Sequence, residues 1–490
     1  MKIVHIASEA VPFAKTGGLA DVVGALPQAL ASLGDQVFVI MPFYGRKIET
    51  LGLGVSPAAK PDLTIDVDVG GIRMQARVMK ARLDLGPTFY FISEPYFFDR
   101  ENIYGTAGGD YPDNAQRFVF FSRAAIEAIA RLKIKPDIVH VHDWQTALVP
   151  VYLKTIYAKD RAFANVKTIL TIHNMGYQGV FPKQVMNITG LGWDLFTFDK
   201  LEFWDKVNFL KGGIAFSDAI TTVSKKYAKE IISHEQGMGL DDALRARKNS
   251  LSGILNGVDY GVWNPLNDAL IPANFSARSL KGKSECKEAM RIRMKLPMRE
   301  STPVIGMVGR LASQKGLDIF TEALPELVNK DLQLAILGTG DVHYHEILRA
   351  AARSYPDRVG LMITFSDEMA HMIEAGSDFF LMPSLYEPCG LNQMISLKYG
   401  TIPIVRATGG LEDSIEEFSQ RTGRGNGFKF HDYSAAALLH AVDRALSAYK
   451  RPDSMKQLIQ NAMKCDFSWK RSAREYQALY KKLLGQKKRG

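Results

Sequence analysis

The run Ile3-Val4-His5-Ile6-Ala7-Ser8, followed by Lys15-Thr16-Gly17-Gly18-Leu19-Ala20-Asp21, decides how this chain is read. The first run is apolar and strand-like. The second is a turn with two adjacent glycines that leads into an apolar segment of helical character from Leu19 to about Leu33. Lacking a Cβ, paired glycines let the backbone approach a ligand closely. A helix opening behind them points unpaired N–H groups outward, a setting that favours anions and phosphate above all. Lys15 adds a positive charge beside the turn. Gly34-Asp35 ends the helix, and Val37-Phe38-Val39-Ile40-Met41 is a second strand stopped by Pro42, which completes a strand–helix–strand unit. Pro27, inside the helical stretch, predicts a kink or a break.

The same turn chemistry recurs at Thr408-Gly409-Gly410-Leu411-Glu412-Asp413. Two such turns, one per half, point to a phosphorylated substrate held in a cleft between two domains. At 490 residues the chain exceeds one ordinary core, so two domains are expected. Buried-strand candidates at 137–141 and 168–171 run into His140-Val141-His142-Asp143 and His173-Asn174. A second series follows the turn Asn256-Gly257-Val258-Asp259, with strands at 304–308, 333–337, 378–383 and 403–405. Strands alternating with helices imply mostly parallel sheets, whose ligands bind outside the carboxyl ends of the strands. The boundary is expected near residue 260, with 263–303 a linker and an entry helix. A loop at about 96–114, with Gly105, Gly108, Gly109 and Pro112, is expected to be a mobile lid.

Hydrophobic residues at 46% and charged residues at 23% match an ordinary globular protein. The N-terminus lacks the apolar stretch of a signal peptide, and no run is long enough to cross a bilayer. Cys286, Cys389 and Cys465 are widely spaced, which supports neither a disulfide framework nor a zinc cluster. A cytoplasmic enzyme is the expectation. Lys481, Lys482, Lys487, Lys488 and Arg489 contribute five charges to the net +9, and read as a solvated, frayed tail. No aromatic residues interleave these last charges, so neither nucleic acid nor membrane is an expected partner.

Several residues carry candidate chemistry. Lys15 reads as a phosphate clamp or an ordinary surface lysine. Asp21 lies in a first helical turn, where the macrodipole alone favours a carboxylate. His173 ends a strand at a position that often faces a crevice, with a core-satisfied histidine as the alternative, and His140 reads as structural. In Gly309-Arg310-Leu311-Ala312-Ser313-Gln314-Lys315-Gly316, Arg310 and Lys315 together suit a diphosphate, the first as a planar fork and the second as a point charge. Gly338-Thr339-Gly340 has His343 where a dinucleotide fingerprint needs glycine, so it is weak evidence for NAD. Glu387 follows an apolar strand, projected into a cleft or serving as a turn acid. Cys389 has no histidine near it in sequence and reads as packing.

Taken together, Lys15 through Asp21, Asn256-Gly257-Val258-Asp259, Arg310 through Lys315, Glu387-Pro388-Cys389-Gly390-Leu391, Lys398-Tyr399-Gly400-Thr401-Ile402-Pro403 and Ala407 through Asp413 resemble the bacterial glycogen synthases and plant starch synthases. The resemblance implies an α/β GT-B fold with two Rossmann-like domains facing each other across a deep cleft. These would be an acceptor-side starch synthase catalytic domain over 1–260 and a nucleotide-sugar-binding domain over 261–466. Residues 467–490 would be a helix crossing back to the first domain plus the basic tail. The implied activity is retaining transfer of glucose from ADP-glucose to the non-reducing 4-OH of an α-1,4-glucan such as glycogen, with release of ADP.

By the same resemblance Lys15, Gly18, Arg310 and Lys315 engage the donor phosphates, and the Gly409-Gly410 turn adds backbone donors. His173 and Asp143 line the glucosyl pocket, Glu387 holds sugar hydroxyls, and Phe365 lies against adenine. Gly17, Asp21, Asn256 and the run Cys389-Gly390-Leu391 are further substrate-binding positions. The chain departs from the pattern at Asn392, where threonine is usual, and at Phe365, where tyrosine is common. The wider superfamily also has a second glutamate where this chain has Ile395. No metal and no cofactor are implied. A phosphorylase, a sugar-nucleotide epimerase or a non-catalytic glucan-binding protein are the rival readings.

Overall fold

The computed structural model describes residues 1–45, 48, 51, 61–82, 86–106 and 108–485. Lys487, Lys488 and Arg489 of the basic tail lie outside the described residues. The chain forms two compact units, one of Met1–Val223, Ala228–Gly257 and Trp469–Gly490, the other of Ser224–Tyr227 and Val258–Ser468.

In the first unit, fully apolar runs such as Ile3, Val4 and Ile6 become strands buried on both faces, as parallel sheets require. The nine-stranded sheet runs in space as Leu251–Gly253, Ala219–Thr222, Lys167–Ile172, Ile138–His142, Lys2–Ile6, Gln36–Pro42, Thr88–Ser93, Ile72–Arg82 and Leu63–Val69. Its pairings are parallel except at the Leu63–Val69 edge, where two are antiparallel. The first strand lies between Gln36–Pro42 and Ile138–His142, so chain order reverses there. Such a switch point is where open α/β sheets present their ligand crevice.

The helix after the first glycine turn spans Gly18–Ser32 and runs through Pro27, so of the expected kink or break the break does not occur. The proline ring is buried with Val22, Val23, Leu26 and Leu30, and that packing outweighs the missing N–H. The last helix, Trp469–Gly485, shares this core. Its Trp469, Tyr476 and Tyr480 lie with Ile3, Leu26, Leu30 and Ile138. Each such side chain contributes about 2 kcal/mol of burial.

The stretch at 96–114 is tied down instead of being a free lid. The fully buried Arg117 reaches back from the next helix to the carbonyls of Phe97 and Ile103 at 2.8 and 2.9 Å. Arg100 grips Asp113 with two bonds of 2.8 and 2.5 Å. The Tyr104 hydroxyl bonds to Glu9 and Ser8.

The second unit holds a six-stranded, wholly parallel sheet in the spatial order Val359–Ile363, Gln333–Gly338, Val304–Val308, Phe379–Met382, Ile402–Arg406 and Phe428–Phe430. In chain order this is 3-2-1-4-5-6, the Rossmann arrangement. Its switch point lies between Val304–Val308 and Phe379–Met382. Among the described residues no helix is long and apolar enough to cross a membrane.

Candidate functional site

At the switch point of the second unit, the loops beyond its first and fourth strands converge. The first carries Arg310 and a short helix, Ser313–Lys315, and the other carries Ser384 and Glu387. Gly316 clamps the two loops together. It has φ +75°, and a Cβ there would lie 2.1 Å from the Pro383 carbonyl, so only glycine fits. The Leu385 N–H donates to the Gln314 carbonyl at 3.0 Å.

The result is an ion pair between residues 72 apart in sequence: Lys315 Nζ lies 2.5 Å from Glu387 Oε2. Ser384 Oγ donates to the same oxygen at 3.1 Å. Glu387 is buried and Lys315 half-buried, so the pair is anchored in protein while its cation still meets the crevice. Arg310 stays exposed, with one long bond of 3.3 Å to Gln314 Oε1.

Asn392 uses its amide to hold the Val308 carbonyl at 2.8 Å, fixing the end of the first strand. Phe365, 80% exposed beyond Val359–Ile363, leaves its ring available for stacking. Cys389 is buried, and its carbonyl accepts from Gln393 Nε2 at 3.1 Å, in keeping with packing. Gly390 adopts φ +69° against the Gln393 side chain, and Leu391 precedes the helix Asn392–Lys398.

Of the backbone donors expected of the second glycine turn, the Gly410 N–H is given to the Glu387 carbonyl at 3.1 Å. A Cβ at Gly409 would sit 1.9 Å from that carbonyl oxygen, and one at Gly410 would sit 1.9 Å from the Cys389 carbonyl oxygen. These glycines let two loops touch, and so they fix the backbone that carries Glu387.

In the first unit the glycine turn is open. A Cβ on Gly17 or Gly18 would meet nothing within 4 Å. Lys15 Nζ pairs with Asp21 Oδ1 at 2.7 Å on an exposed rim. Beneath the turn lies Glu9, a buried carboxylate that the sequence reading passed over. It accepts from the Thr16 backbone N–H, from Thr16 Oγ1 at 2.7 Å and from the Tyr104 hydroxyl at 2.5 Å. Its sequence signal was its place just past the first strand's carboxyl end.

Asp143, past the neighbouring strand, holds φ +55°, a left-handed conformation unusual for a side-chain-bearing residue and often found at functional sites. Its Oδ1 accepts from the His173 backbone N–H at 2.7 Å, so the two candidates meet. Burial pushes the Asp143 carboxyl up to about 7, against the pull of the His173 and Asn174 backbone bonds. Asn256 is buried, and its Oδ1 has no hydrogen-bond partner. Neither Asn256 nor Phe365 joins another candidate through a described hydrogen bond or ring contact.

The parallel register that sets His5 beside His140 also gathers an imidazole cluster that the sequence reading did not foresee. His5, His140 and His142 each offer a nitrogen within 4.8 Å of the others. Yet His140 bonds Tyr480 Oη at 2.8 Å and Thr171 Oγ1 at 2.5 Å, and His142 bonds His5 and His173 at 3.1 Å each. Five of the six ring nitrogens are thus committed, His5 Nε2 being the exception, and a hydrogen-bond network describes the cluster better than a chelate. Burial lowers His5 and His173 to about 3 and holds His140 and His142 well below the usual imidazole range, so all four rings are neutral at pH 7.

A sequence model of the starch synthase catalytic domain matches residues 2–246, and one of the glycosyl transferases group 1 matches 289–464. The chain is 48% identical to the glycogen synthase of Koribacter versatilis (strain Ellin345) over 98% of each chain. It is likewise 48% identical to that of Anaeromyxobacter sp. (strain Fw109-5) over 99% of each. The catalytic domain of starch synthase IV from Arabidopsis thaliana, solved with ADP and acarbose bound, superposes with a TM-score of 0.88 at 34% identity, covering 99% of both chains. Sucrose-phosphate synthase from Thermosynechococcus elongatus shares the fold at a TM-score of 0.62 and 16% identity, covering 99% of this chain and 100% of that one.

Proposed function

The chain belongs to the glycogen and starch synthase family of GT-B glycosyltransferases, and on that footing we propose that it lengthens an α-1,4-glucan by retaining transfer of glucose from ADP-glucose to a non-reducing 4-OH. The observation that carries this reading is the Lys315–Glu387 pair beside the exposed Arg310 at a Rossmann switch point. Breaking the anomeric C–O bond to a diphosphate builds negative charge on the leaving group and positive charge on the sugar. Arg310 and Lys315 stabilise the leaving diphosphate, an electrostatic term that often dominates catalysis. Glu387 fixes the lysine and offers its second oxygen to a sugar hydroxyl. Phe365 stacks on the adenine.

In the first unit Lys15 and the open Gly17-Gly18 turn address the donor phosphates, while His173 and Asp143 line the glucosyl position. Retention follows if the acceptor hydroxyl attacks the face that the diphosphate leaves. The departing phosphate oxygen takes the acceptor's proton, the new C–O bond forms, and ADP is released. The proposed setting is the cytoplasm, a reading supported by the lack of a disulfide among the described residues.

Incubation with glycogen and either ADP-glucose or UDP-glucose tests the proposal, with nucleotide release and chain growth both measured. ADP release matched one for one by glucan growth is expected. Chain growth from UDP-glucose alone would overturn the donor, and glycogen binding without turnover would overturn the activity.

A further inference from the structure

A line of three neutral imidazoles runs from the interior of the first unit to His173. His5 Nδ1 lies 3.1 Å from His142 Nε2, and His142 Nδ1 lies 3.1 Å from His173 Nε2. A neutral imidazole carries one N–H, so the two bonds must share one direction. If they run inward, every ring holds its proton on Nε2, and His5 is left with a fully buried N–H that has no acceptor. If they run outward, every ring holds its proton on Nδ1, and the buried orphan on His5 is only a lone pair. An unpaired buried N–H is the rarer and costlier defect.

We infer that His5 and His142 are positioning residues that hold His173 in its Nδ1–H tautomer and so present a neutral hydrogen-bond donor to a hexosyl oxygen. The inference rests on the reading that His173 lines the sugar position. With Nε2 taken by His142, Nδ1 is the ring atom of His173 left without a partner among the described residues. It meets an oxygen lone pair only if it carries the proton. The relay supplies this without any charge, because burial keeps the rings neutral. The ring orientation is set as well. The His173 backbone N–H is pinned to Asp143, and His142 is itself locked by Thr146 Oγ1, which accepts from the His142 N–H at 2.8 Å and donates to its carbonyl at 2.8 Å.

The test uses the whole protein labelled with 15N-histidine, with long-range 1H–15N spectra to read each ring's tautomer, alongside kcat and KM for ADP-glucose and glycogen. The expected result is His173 as Nδ1–H. In His142→Phe that signal should be lost and kcat should fall at least tenfold, with KM for ADP-glucose little changed. In His142→Asn the side-chain amide can still donate to His173, so the Nδ1–H form and most of kcat should return. Should His142→Phe fail to fold, His5→Leu breaks the line one ring further back and should weaken the Nδ1–H preference. Wild-type His173 found as Nε2–H overturns the relay, and so does an unmoved tautomer in a folded His142→Phe. A tautomer that moves while kcat does not overturns the assignment of His173 to the sugar, and leaves the relay as a structural device.

Discussion

The two Thr-Gly-Gly-Leu turns are nearly the same in sequence and opposite in use. Gly409 and Gly410 are fully enclosed, and their missing side chains make room for the carbonyls of Glu387 and Cys389. At Gly17 and Gly18 the space is empty, and neither residue has a positive φ that would call for glycine. Among the described residues neither close packing nor a positive φ accounts for the glycine pair at the first turn. The proposed donor phosphate would account for it, since a bare backbone lets a phosphate come close. The second turn sets the backbone from which Glu387 reaches Lys315. On the proposed reading the same four letters are a docking surface in one unit, and in the other they are a structural joint.

The largest expected effect lies at what the joint supports. Lys315→Ala removes the half-buried cation proposed to face the leaving group and strands a buried carboxylate, so ADP release should fall about a thousandfold. Steady-state assays on the folded variant check this, and near-normal turnover would remove the clamp assignment. Next is the joint itself. Gly410→Ala drives a methyl against the Cys389 backbone, which has no flexible side chain to yield, and should cost about 3 kcal/mol. Denaturant unfolding of that variant measures the loss. Gly18→Ala is its counterpart at the open turn. It should keep full stability while kcat/KM for ADP-glucose drops about a hundredfold, or about 2.7 kcal/mol of transition-state stabilisation. If both glycine variants lost stability alike, the distinction between the turns would fail.

How much of this was readable in the sequence follows the same division. Runs such as Val304–Val308 announce buried parallel strands because both faces are apolar, and Lys315 and Glu387 were each nameable from their place after a strand. Their ion pair was not, because it depends on Gly316 pressing one loop onto another. Nor was the crowding at Gly410, since close backbone approach leaves no trace in the local letters. Pro27 does not break its helix, because the buried ring offsets the propensity cost. The 96–114 stretch misled because its anchor, Arg117, comes from the following helix. The histidine line needed strand register, which joins His5 to His142 across 137 residues.

The smallest effect concerns the strand that feeds the open turn. His5 is buried and lowered to about 3, whereas an unfolded histidine titrates near 6.5. As pH falls from 6.5 towards 4, the unfolded chain takes up a proton at this position and the folded chain does not. Stability from this ring is thus complete above 6.5 and declines on acidification by about 1.4 kcal/mol per pH unit. His142, His140 and His173 act with the same sign. Asp143, raised to about 7, acts with the opposite sign, because its folded form keeps a proton that the unfolded form has already released above pH 4. His5→Leu should therefore flatten the acid-side slope by one proton while leaving the slope contributed by Asp143 intact. Unfolding midpoints of wild type and variant, compared at pH 7, 6 and 5, read this directly. Parallel curves would mean that His5 is protonated in the fold, and the neutral line leading to His173 would then be broken at its inner end.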